Sequence, residues 1–113
     1  MNKSTFQYYP KEKLQLQQAI PGAQMWGVSL ENTQLTYFEV EANSTFEAHT
    51  HESEQITMVL EGELYFEIDD ECICVKKGEV IAIPSMEKHA AHTRESAVKA
   101  VDAWSPVMEK YDK

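Results

Sequence analysis

From Gly27 onward the apolar residues fall into short runs rich in β-branched and aromatic types, each closed by turn residues. That period reads as strands rather than helices. Met25 to Leu30, Leu35 to Val40, Gln55 to Leu60, Glu63 to Ile68, Cys72 to Val75, Val80 to Ile83 and Val98 to Ala103 are the predicted strands. Between them Glu31-Asn32, Asn43-Ser44, Glu61-Gly62, Asp69-Asp70 and Lys77-Gly78 supply turns at the short spacing of a meandering or Greek-key β domain. A barrel or sandwich is the natural closure. The first twenty residues are polar and irregular, Tyr8, Tyr9 and Pro10 breaking any helical period, and Lys11 to Ala19 fits one turn or a short strand. Helix is expected only as a terminal turn around Val107 to Tyr111, after Pro106.

Length and charge narrow the picture. A chain of 113 residues suits one domain and one core. With 42% hydrophobic residues it is too apolar to stay disordered. Nineteen acidic against ten basic residues give a formal charge of −9, which repels phosphate backbones and anionic membranes, so neither nucleic acid nor a membrane is an expected partner. Lys11, Glu12 and Lys13 interrupt the first apolar stretch where a signal peptide would need continuity. The expectation is a soluble, cytoplasmic protein. Cys72 and Cys74 lie two apart on a predicted strand, hence on one face, where a mutual disulfide would be strained; they read as two small apolar side chains packed on the sheet.

The histidines carry the chemistry. His49 and His51 form a His-x-His pair whose rings, on a strand, share a face and can converge on one ion. Gln55 follows, then Gly62, and His89 comes after the predicted strand Val80 to Pro84 and its loop. Three imidazoles at such spacings are hard to bury without a shared charge partner. Three nitrogens and one oxygen suit a single divalent Zn, Ni, Fe, Co or Mn ion. Parity sends Glu54 outward if Gln55 faces in, although a bulge would reverse the two. His92 should face away from His89, as a surface or rim residue.

These spacings resemble the two motifs of the small cupins. Asn43 stands in the first Gly place, five residues precede His49-Thr50-His51, and Gln55 and Gly62 complete the first motif. In the second, Gly78 is followed by five residues, Pro84, Met86 in a Gly place, and His89. The resemblance implies an all-β, double-stranded β-helix (jelly-roll) barrel in a single domain, 1–113, with its core in 35–104, and a metal held by His49, His51, Gln55 and His89. Asn tolerates the left-handed backbone that a Gly would take, whereas Met86 implies a different loop. Cupins commonly carry Glu where Gln55 stands, and the neutral amide leaves a divalent site at a charge of about +2 and a stronger Lewis acid.

Within the cupins, His49-Thr50-His51-Glu52-Ser53-Glu54-Gln55 and the ending Asp102-Ala103-Trp104-Ser105-Pro106 are similar to the pectin-degradation type, KdgF, which opens or linearises unsaturated uronates. The similarity implies Asp102 as proton carrier and Trp104 as a wall for a sugar ring, the two sharing a face of the last strand. Thr57, with Val59, falls on the face of Gln55 and is a candidate for the pocket floor. Tyr65 and Phe66 on one strand, with Met58 and Tyr37 on others, divide between pocket and packing. Met108 replaces the Arg that would meet a uronate carboxylate, so Arg94, the single Arg, or Lys88 or Lys99 would have to reach the pocket.

Three functions follow. The leading one is a metal-dependent, non-oxidative enzyme acting on a small sugar-like substrate by Lewis-acid polarisation and proton transfer. The others are a non-catalytic ligand-binding or sensing module and an Fe-dependent dioxygenase. An exposed sheet edge, with residues 1–24 carrying Phe6, Tyr8, Tyr9 and Ile20, points to a homodimer.

Overall fold

A computed structural model describes residues 5–111. After a 3-10 turn at Lys11–Lys13, ten strands follow: β1 (Gln17–Ile20), β2 (Ala23–Ser29), β3 (Gln34–Val40), β4 (Thr45–His49), β5 (Glu54–Glu61), β6 (Glu63–Ile68), β7 (Glu71–Lys76), β8 (Val80–Ile83), β9 (His89–His92) and β10 (Val98–Ser105). A second 3-10 turn, Glu109–Tyr111, ends the described chain. The strands form a six-stranded sheet ordered β1-β2-β3-β10-β5-β8 and a four-stranded sheet ordered β4-β9-β6-β7, antiparallel at each pairing. This is the jelly-roll barrel expected of the sequence.

The alternation that predicted the strands is the alternation of burial. On β5, Gln55, Thr57 and Val59 face in while Glu54, Ile56 and Met58 face out. On β10, Val98, Ala100, Asp102 and Trp104 face in. The core between the sheets is built from such side chains, with Val59, Val98, Phe66 and Ile83 almost sealed from solvent. Full burial of each is worth about 2 kcal/mol.

Three strands lay outside the predicted set: β1, β4 and β9. Their residues explain it. Gln17 and Gln18 open β1 with no apolar signal, β4 turns only Phe46 toward the core, and β9 is four residues of His and Ala. Pairing with neighbours orders them, not local propensity. The segment Lys11 to Ala19, open between turn and strand, holds both.

Gly62 joins β5 to β6 at φ +81, a left-handed conformation that side chains resist. A Cβ there would also press into the Ala97 carbonyl oxygen and meet Val98 Cγ2 at 3.1 Å. Gly62→Ala is therefore expected to lower stability by about 3 kcal/mol, read as a shift of the urea midpoint; an unchanged midpoint would contradict this account of the turn.

Candidate metal centre

His49, His51 and His89 converge from three places in the chain. Regular pairing of β4 with β9 would set Ala48 opposite His89. Instead Phe46 pairs with Ala91 and His49 with His89, three residues on β4 against two on β9, so β4 carries one extra residue. That bulge re-aims His49 from the outer face to the row of His89. His51 follows just beyond the strand, and its carbonyl accepts the Met86 amide at 2.8 Å, which ties the second motif's loop to the first. Met86 has φ +67 and Asn43 φ +57, so both Gly places keep the left-handed turn.

The three rings lie with centroids 4.6 to 5.2 Å apart, and one ligand nitrogen from each falls within 4.8 Å of the others. Each Nδ1 meets a backbone carbonyl: His49 that of Glu47 at 2.7 Å, His51 that of Ser53 at 2.8 Å, His89 that of Glu87 at 2.8 Å. A carbonyl only accepts, so each Nδ1 carries the proton and each Nε2 presents a lone pair. Burial pushes the His89 imidazole below its ordinary range, with His49 and His51 adding to the effect, which keeps it neutral.

Gln55 lies beside the three rings. Its Nε2 donates to Thr57 Oγ1 at 2.9 Å, which orients the amide so that Oε1 faces His51 Nε2 at 3.1 Å. Two lone-pair-bearing atoms then face one another. A shared cation relieves that opposition, and the donor set of three imidazole nitrogens and one amide oxygen fits a divalent transition ion. Glu54 points to solvent, as parity required.

Behind Gln55 lies a closed polar network. Asp102 is buried on β10, registered opposite Thr57 of β5 and Thr36 of β3. Thr57 Oγ1 donates to its Oδ1, Thr36 Oγ1 donates to its Oδ2 at 3.2 Å, and Trp104 Nε1 donates to Thr36 Oγ1 at 2.9 Å. Gln55 Nε2 approaches Oδ1 at 3.5 Å. Burial raises the Asp102 carboxyl to about 6, against the lowering effect of these donors.

Asp102, Trp104, Gln55, His49 and His89 line a cavity of about 60 Å³ whose other walls include Phe38, Phe46, Phe66 and Tyr111. Asp102 is the one carboxylate among the lining residues, and none of them is Lys or Arg. Trp104 is both core and wall, its ring edge-on to His51 at 5.3 Å.

Two expected substrate contacts sit elsewhere. Thr57 does not line the cavity: the hydroxyl is spent between Gln55 and Asp102, and the residue is 1% exposed. Arg94 follows β9 on the outer face of the four-stranded sheet, where His92 already points outward. Its guanidinium stacks 3.9 Å from the Tyr65 ring centroid, its Nε donates to His92 Nε2 at 3.2 Å and its Nη2 to Cys72 Sγ at 3.7 Å. Lys88 is exposed and Lys99 pairs with Glu61 at 3.8 Å. Cys72 and Cys74 do share a face, but it is this outer one, exposed and half-buried respectively, because Ile73 and Val75 take the opposite positions. Phe66 faces the pocket; Tyr65, Tyr37 and Met58 face out. Tyr111 escaped notice in the sequence because a lone aromatic after Pro106 has no period to place it.

The chain belongs to the cupin-domain family, whose model matches residues 36–104. Acireductone dioxygenase 1 of Sorghum bicolor is 31% identical over 90 residues, 69% of this chain and 50% of that protein, so the chain spans about half the length of this curated relative. Among solved structures, KdgF from Halomonas sp. superposes with a TM-score of 0.85 at 21% identity, covering 93% of this chain and 97% of that one. An RmlC-like cupin from Shewanella frigidimarina NCIMB 400 gives 0.86 at 16% identity over 96% and 98% of the two chains. At these identities the structural likeness shows the fold. Among the described residues no helix is long and apolar enough to cross a membrane.

Proposed function

We propose that the protein is a metal-dependent, non-oxidative enzyme that moves a proton on a small sugar-like substrate, with one divalent ion on His49, His51, His89 and Gln55. The observation that carries this reading is the adjacency of that four-donor cluster to a single buried carboxylate, Asp102, on one cavity wall. When bound, a divalent ion supplies Lewis-acid polarisation of a substrate carbonyl or hydroxyl. The residues do the rest. Asp102 takes and returns a proton at a carboxylate oxygen, Thr36 and Thr57 hold that carboxylate in one orientation, and Trp104 and the phenylalanines exclude water from it.

The unsaturated uronates of the KdgF resemblance are the template for the substrate, with one change. Met108 packs against the core, its N–H and C=O both bonded to Gln34, and no lining residue is a cation. An uncharged analogue therefore fits this site better than a uronate. The cavity's size admits only a small reacting end.

The Sorghum relative favours a second reading, a dioxygenase on the same three imidazoles. Metal-loaded protein followed by NMR on unsaturated uronates and neutral keto sugars, with and without O₂, separates the two. Product formed without O₂, faster from the neutral sugars, is the expected result. Product that requires O₂ would establish the oxygenase, and binding without turnover would establish a ligand-binding module.

A further inference from the structure

Inward positions descend the barrel in steps that register fixes. On the six-stranded sheet Trp104 pairs with Gln55, Asp102 lies between Thr36 and Thr57, Ala100 lies between Phe38 and Val59, and Val98 pairs with Val40. On the four-stranded sheet His49 pairs with His89, and one step further Phe46, Ala91 and Phe66 stand in a row. The cavity therefore changes character along its length. At one end are the imidazoles, the Gln55 amide and the Asp102 carboxylate. Past Asp102 every lining side chain except Tyr111 is hydrocarbon, down to Val40 and Leu64. A hydroxyl carried into that end gives up its water and the hydrocarbon walls offer it no partner, whereas each methylene carried there gains about fourfold in affinity.

From this we infer that the cavity takes a small neutral molecule with its oxygens gathered at one end and a short deoxygenated tail at the other, and that Tyr111 sets the length of the tail. This substrate class, which rests on the metal-dependent reading above, is the α-hydroxy ketone with an alkyl inner end, a deoxy counterpart of the sugars. A carbonyl with a hydroxyl beside it offers a divalent centre two oxygens and Asp102 an acidified C–H. Neutrality follows from the lining, which holds no Lys or Arg.

Tyr111 reaches the cavity from the terminal turn, not from a strand, and the barrel is shaped to hold that turn. Gln34, buried at 4% exposure, donates from Nε2 to Ser29 Oγ at 3.1 Å and to the Met108 carbonyl at 3.2 Å, while its Oε1 accepts the Met108 N–H at 3.0 Å. Ser53 Oγ donates to the Pro106 carbonyl at 2.6 Å, and the Tyr111 N–H to the Met108 carbonyl at 2.9 Å. Gly27 on β2 leaves room for the turn, since a Cβ there would stand 2.9 Å from the Tyr111 carbonyl oxygen. The Tyr111 ring then packs edge-on to Phe38, centroids 5.5 Å apart, and lies 5.6 Å from Trp104. It bridges the apolar wall and the polar one. A ring fixed in this way is a stop for whatever passes Asp102, and removing it lengthens the apolar end.

Titration of the zinc-loaded full chain with 1-hydroxy-2-ketones of increasing length, followed by NMR, reads the tail directly. Affinity should rise about fourfold per methylene and then fall away at a definite length. 1-Hydroxy-2-pentanone should bind about tenfold or more tighter than 1,4-dihydroxy-2-butanone, which carries a hydroxyl in place of the terminal methyl. Tyr111→Ala should move the cut-off to longer ketones, the longest gaining about tenfold or more, and Tyr111→Phe should leave it in place. Tyr111→Leu makes the same test if the alanine variant does not fold. Affinity indifferent to tail length, or tighter binding of the dihydroxy ketone, would overturn the substrate class. An unmoved cut-off in a folded Tyr111→Ala or Tyr111→Leu protein would overturn the role of Tyr111. Length-dependent binding without turnover would uphold the class and remove the enzyme reading, whereas turnover of fully hydroxylated sugars with no preference for a tail would do the reverse.

Discussion

Replacing Asp102 by asparagine is expected to lower turnover by about 100-fold or more while one metal ion per chain stays bound. Asparagine keeps the shape, and its Oδ1 can still accept from Thr57 Oγ1 while its Nδ2 faces Thr36 Oγ1, a hydroxyl with acceptor capacity to spare. The network around Gln55 and Trp104 therefore survives. What the variant loses is a proton acceptor on the cavity wall, where Asp102 is the one carboxylate among the lining residues. Loss of turnover with unchanged metal content and unchanged ligand binding would place Asp102 in the chemistry. Full activity in Asp102→Asn would remove the proton-transfer step from the proposal, and loss of the ion would make the residue a support for the centre.

The second large effect concerns the centre itself. Adding Zn, Ni or Co at about a hundredfold over its dissociation constant is expected to stabilise the fold by about 2.7 kcal/mol and raise Tm by on the order of 10 °C, a shift that a chelator reverses. His89→Ala should abolish it. That imidazole is 3% exposed, its Nδ1 is fixed by the Glu87 carbonyl, and its ring sits 4.6 Å from His49 and 4.9 Å from His51, so no neighbour can take its place. Differential scanning calorimetry with and without metal reads the difference. A His89→Ala protein that keeps the full metal-induced shift would show that the ion binds elsewhere.

Much of the site was legible because its spacing reflects backbone demands. Asn43 and Met86 stand where glycine would, and both take positive φ, so the turns that present His51 and His89 survive substitution of the glycines. The faces of Gln55, Thr57, Asp102 and Trp104 followed from alternation on two strands whose register then brings them together. Alternation alone misplaces His49, since only the bulge on β4 turns that ring inward, and a bulge leaves no trace in the residues. Thr57 had the right face and the wrong neighbour: buried hydroxyls bond the nearest carboxylate before they reach a cavity. Arg94 lay past the end of a strand, where parity lapses, and an exposed guanidinium found an aromatic face instead. The cavity's aromatic lining arises from four strands and a terminal turn, which only the tertiary structure assembles.

The lone pair of His51 Nε2 facing Gln55 Oε1 at 3.1 Å is the geometry from which the metal centre is argued, and X-ray absorption on the metal-loaded protein tests it most directly. Three imidazoles and one oxygen at about 2.0 to 2.2 Å, with the oxygen contribution altered in Gln55→Ala, are the expected spectrum. Sulfur scattering at about 2.3 Å, which would move the ion to Cys72 and Cys74, or fewer than three imidazoles, would contradict it.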